Sequence, residues 1–121
     1  MAITYHSEYL KLQSVFITPV KHAFVSDNRI NQQWKALNYL ARPNLTNAFE
    51  EYEAFQAYLS QKNIQLLNFP LDSQVQIDSI YCRDASIATN FGMIICNMGK
   101  EGRSLEPQLH KQTYENCDIP I

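Results

Sequence analysis

Residues 77–103 read IDSIYCRDASIATNFGMIICNMGKEGR, and three charges, Asp78, Arg83 and Asp84, fall within its first eight positions among Ile, Tyr and Cys. Read by alternation, IDSIYCR and ASIAT form one broken strand, Asn90-Phe91-Gly92 turns the chain, and MIICN returns as a hairpin partner. On such a strand Asp78, Ile80, Cys82 and Asp84 share one face, and Ser79, Tyr81, Arg83 and Ala85 the other. A straight strand rises about 3.3 Å per residue, which sets the two aspartates roughly 20 Å apart, too far to share one small ligand. A bulge or bend at Arg83-Asp84 would bring them together.

A carboxylate between apolar strands costs several kcal/mol unless a cation or hydrogen-bond donors compensate it. One reading is internal: Arg83 pairs with a neighbouring carboxylate and the aspartates cap loops. The other is a cationic ligand, and a planar guanidinium matches a carboxylate best because it offers paired N–H donors. Gly99-Lys100-Glu101-Gly102-Arg103 is the second candidate segment. Its glycines let the backbone approach a ligand closely, and Arg103 is placed to clamp a carboxylate. The bland alternative is a solvated turn.

Working outward, LQSVFIT (Leu12 to Thr18) is rich in β-branched and aromatic residues and reads as a buried strand stopped by Pro19. Residues 19–27 form a loop closing on Ser26 or Asp27 as a helix N-cap. Ile30, Trp34, Leu37 and Leu40 then lie on one helical face, up to Pro43. A second helix begins near Asn44, with Leu45, Phe49, Tyr52, Phe55 and Leu59 as its apolar stripe, read as core. IQLLNFP is a short strand. A helix is expected from about Leu105 to Asn116, and DIPI opens a further strand. The class is α/β, and internal repetition is weak.

Composition narrows the function. The 121 residues are 45% hydrophobic and 18% charged, as in a globular chain of one modest domain. The net charge of −2 and the scattered ten Lys and Arg argue against nucleic acid as a partner, since no basic excess exists to neutralise phosphates. With no apolar run long enough for a membrane and no secretory pattern in MAITYHSEYLKLQ, a cytoplasmic location is expected. Cys82, Cys96 and Cys117 form no C-x-x-C, and Cys82 and Cys96, inside apolar runs, read as reduced core thiols; the three cysteines and His6, His22 and His110 lack ligand spacing, so neither metal nor cofactor is expected.

The stretch D-S-I-Y-C-R-D, followed by an apolar hairpin and M-G-K-x-x-R-x-x-E, resembles the N-terminal part of the guanidino-group-modifying (pentein) superfamily. That group holds dimethylarginine dimethylaminohydrolase, arginine deiminase and the amidinotransferases, and the likeness is strongest to the first. It runs through nearly the whole chain and is most specific from Asp78 to Glu106. The resemblance implies a propeller of five ββαβ-type blades around a channel, of which residues 1–121 would be the N-terminal portion, about two blades. It implies that Asp84 binds the substrate guanidinium, that Asp78 lines the same pocket, and that Arg103 holds the α-carboxylate of arginine or a methylated arginine. Phe24 falls where a substrate-covering loop is expected. Arg83 matches the Arg-Asp form found in deiminases and amidinotransferases, where some dimethylarginine hydrolases carry an acidic residue.

In that family a cysteine thiolate attacks the guanidinium carbon and a histidine serves as acid and base. No H-x-D/E, no Gly-Gly-Asp and no cysteine in the matching position follows the motif here. The family's chains are more than twice as long. The expectation is therefore a chain without catalytic residues of its own, inactive alone, that self-associates or pairs with a missing C-terminal half. A truncated chain, a proteolytic product or a split gene would each account for the length. A non-catalytic arginine-binding module and a structural α/β module are the alternatives.

Overall fold

The computed structural model describes residues 6–121, so the reading of the N-terminal start lies partly outside the described residues, at residues 1–5. Strand β1 (Ser14–Ile17) pairs in parallel with β2 (Gln65–Asn68), Val15 opposite Leu66 and Phe16 opposite Leu67. Parallel neighbours need a long crossover. Here it holds three helices, α1 (Val20–Ala23), α2 (Asp27–Gln33) and α3 (Leu45–Gln61).

Local chemistry sets each boundary. The loop expected over residues 19–27 contains a helical turn, because Pro19 supplies a carbonyl that accepts from His22 and Ala23. Val25, at φ 63°, ends that turn, and Ser26 Oγ caps α2 by accepting the Arg29 N–H. Asn44 caps α3 in the same way through Asn47. Helix α2 stops short of the expected Leu40: the backbone turns at Asn38 (φ 66°), so Leu37 reaches the core while Leu40 stands fully in solvent. Val20, Ala23, Phe24, Ile30, Leu37 and Ile77 form one cluster of the core. Leu45, Phe49 and Tyr52 pack against its flank, but no residue of α3 is fully buried and Phe55 is exposed.

The charged stretch is not a strand. Ile77–Ile80 forms a 3₁₀ turn, and only Ser86–Thr89 (β3) is extended, pairing antiparallel with β4 (Gly92–Ile95). Ile77 is drawn wholly into the core, and its N–H donates to Gln33 Oε1 at 2.9 Å instead of to a neighbouring strand. Ser79 and Tyr81 donate back to Gln76 and Asp78, which closes the tight turn. A second 3₁₀ turn (Glu101–Arg103) leads into α4 (Glu106–Asn116). The expected final strand is absent: the Met93 N–H of β4 donates to Pro120 O at 2.8 Å, a single bond in place of a ladder. The architecture is mixed α/β with two two-stranded sheets and no closed barrel among the described residues.

Candidate functional site

The two 3₁₀ turns face one another and frame an open cleft of about 660 Å³. Its wall includes Tyr39, Asp78, Tyr81, Asp84, Lys100 and Arg103. The 3₁₀ turn does what a straight strand could not: it brings Asp78 and Asp84 onto one cleft, and Arg103 joins them from the second turn. Phe24 is not brought there. It is 6% exposed, packed in the core with Val20 and Ile30, and the lid expectation does not fit that position.

Arg103 lies at the centre of the polar network. Its Nη1 and Nη2 donate to the two oxygens of Asp84 at 2.8 and 2.7 Å, end-on and bidentate. Its Nε and Nη2 donate side-on to Glu106 at 2.9 and 2.8 Å, and Nη2 also reaches Tyr81 O at 2.8 Å. Four of the five N–H donors are thereby committed inside the protein. The guanidinium is held in its charged form chiefly by the bonds to Glu106, and the bonds from Arg103 hold the Asp84 carboxyl below the usual range. Burial pushes Glu106, 1% exposed, upward against the pull of Arg103. Arg83 is exposed and forms no ion pair among the described residues.

Asp78 is buried and paired with Lys100, whose Nζ donates to Oδ2 at 2.6 Å and to Leu37 O at 2.5 Å. The Tyr39 hydroxyl is buried beside this pair, and its pKa is raised chiefly by burial and further by the neighbouring Asp78. None of the three cysteines lines the cleft. Cys82 donates weakly to Phe16 O, and burial raises its thiol pKa, the opposite of what a nucleophile needs. The one H-x-E triplet in the chain, His6-Ser7-Glu8, precedes β1 and lies off the cleft, where the His6 N–H donates to Asn90 Oδ1.

A buried network escaped the sequence reading. Ser86 Oγ lies 2.9 Å from His110 Nδ1 and 2.7 Å from the Tyr114 hydroxyl, while Phe69 stacks on the His110 ring at 3.9 Å. The partners are 24 and 28 residues apart, with no local spacing to reveal them. Although a Ser–His pair suggests a nucleophile and its base, all three side chains are closed off from the cleft, so the network is part of the packing.

Burial, with help from Arg103, lowers the His110 pKa to about 4 from 6.5. A base with a depressed folded pKa stabilises the fold fully above the unfolded value and loses that contribution as pH falls towards the folded one. Unfolding free energy is therefore expected to drop between pH 6.5 and 4, by about 3 kcal/mol at 1.36 kcal/mol per unit. Urea titrations across that range, compared with a His110→Gln variant, measure it. An equal slope in the variant would assign the loss elsewhere.

No protein-family profile and no curated protein matches the chain. Among solved structures, dimethylarginine dimethylaminohydrolase, in its adduct with 4-chloro-2-hydroxymethylpyridine, superposes with a TM-score of 0.66 at 19% identity, over 88% of this chain. The chain spans 38% of the length of that protein. What the likeness establishes is the fold: these residues are arranged as a portion of dimethylarginine dimethylaminohydrolase is arranged.

Proposed function

We propose that the chain is the N-terminal portion, about two of five blades, of an enzyme that hydrolyses the guanidino group of an arginine-like substrate and releases citrulline. Asp84 receives the planar cation, with Asp78 and Arg103 in the same pocket. The covalent step, attack by a cysteine thiolate on the guanidinium carbon, uses a nucleophile carried outside these residues. The observation that supports this reading best is that Asp84 lines the cleft half-open, with Arg103 behind it holding its carboxylate in the charged form that a planar cation needs. The shared fold points the same way. Deimination of arginine and amidino transfer place the same demand on Asp84 and are the neighbouring alternatives. Each sheet has two strands, which leaves edge groups for a second copy or for the remaining blades to pair with.

A second reading, a non-catalytic arginine-binding module, is favoured by the absence of a thiol on the cleft. Calorimetry with arginine and its methylated forms tests the binding that both share. Saturable heat is expected from the intact chain, weakened about tenfold or more in Asp84→Asn, the loss of one charge-assisted hydrogen-bond pair. No heat from any guanidine rejects both readings. Citrulline formation by this chain alone would show that the nucleophile had been misplaced.

A further inference from the structure

Two ion pairs line the cleft, and each joins a buried member to a half-open one. Asp78 is 4% exposed and its partner Lys100 37%; Arg103 is 9% exposed and its partner Asp84 37%. The groups that face a ligand are therefore one cation and one anion, Lys100 and Asp84, each fixed from behind by an opposite charge. We propose that Lys100 is the specificity-determining residue of the cleft and binds the carboxylate of an amino acid whose guanidinium sits on Asp84, while Asp78 and Arg103 act as positioning residues. This deepens the guanidinium reading and rests on it.

Donor counting supports the division. An ammonium has three N–H donors, and Lys100 spends one on Asp78 and one on Leu37 O, leaving one uncommitted. Arg103 has a single N–H uncommitted and is nearly closed to solvent. To grip a carboxylate with a fork it would have to release Asp84 or Glu106, and releasing Glu106 strands a buried charge. Lys100 gives its third donor at no such cost. Asp78, for its part, has its charge answered by Lys100 and is too deep to meet a second cation side by side with Asp84.

Arginine and agmatine, which lacks the carboxylate, separate the two ends of the ligand. With the intact chain, calorimetry is expected to show arginine binding about tenfold tighter than agmatine, the size of one charge-assisted hydrogen bond. That preference collapses to near parity in Lys100→Gln and returns in Lys100→Arg. Should Lys100→Gln unfold because Asp78 is left alone, the pair Asp78→Asn with Lys100→Gln supplies the same ratio with no stranded charge. A preference that survives loss of the ammonium overturns the assignment, as does equal binding of both ligands by the unaltered chain; in both cases the guanidinium reading stands. If neither ligand binds, that reading falls, and this inference with it.

Discussion

Replacing Arg103 by Met is expected to destabilise the fold by about 3–5 kcal/mol, the usual consequence of removing one partner from a buried ion pair. The loss arises mainly at Glu106, whose carboxylate is 1% exposed and bonded to Arg103 through both oxygens. Asp84 is half-open, so solvent screens its stranded charge and its share is small. Tyr81 O loses its donor as well. The double variant Arg103→Met with Glu106→Leu should recover most of the stability, because a buried pair replaced by apolar groups of similar volume is near neutral. Arg103→Lys should recover little, since a single ammonium cannot serve two carboxylates in a plane. Urea unfolding measures all three. A loss under about 1 kcal/mol in Arg103→Met would mean that the network contributes no more than a surface pair.

The second large effect is expected at Phe69, among the largest side chains with almost no exposure. Phe69→Ala should cost about 3–5 kcal/mol, the range for emptying a buried aromatic site. Three rings surround it: His110 at 3.9 Å, Phe16 at 5.2 Å and Tyr114 at 5.8 Å, so β1, β2 and α4 meet through one residue. Its backbone adds to the junction by donating to Ile17 O and accepting from His22 Nδ1. Thermal and urea unfolding check the magnitude. Phe69→Leu, which fills most of the volume, should lose far less. If alanine and leucine behave alike, the site has collapsed and packing there is not decisive.

Short-range chemistry was legible in the sequence. Of the two cap candidates Ser26 and Asp27, Ser26 is the cap, α3 begins next to Asn44, and β1, β2, the hairpin and α4 form within a few residues of the expected places. Alternation failed at Ile77–Tyr81, because the same apolar and polar order satisfies a strand and a tight turn. The Ile77 N–H is taken by the distant Gln33 side chain, a partner that local spacing does not reveal. The helical face ending at Leu40 failed for a similar reason, since the turn at Asn38 carries no proline or glycine to announce it. Of the candidate residues, Asp78, Asp84 and Arg103 do meet on one cleft. Their pairing was hidden because spacing along a chain says which side chains are charged, not which of them turn inward. Lys100 lies in the second candidate segment, but its bond to Asp78 shows only in three dimensions.

Helix α3 has one more consequence. Seventeen residues long, it holds none of the fully buried positions, whereas α4 holds six in eleven. Substitutions along its outer surface disturb little, so stability constrains that stretch weakly. Divergence should accumulate there first, with little cost to the fold.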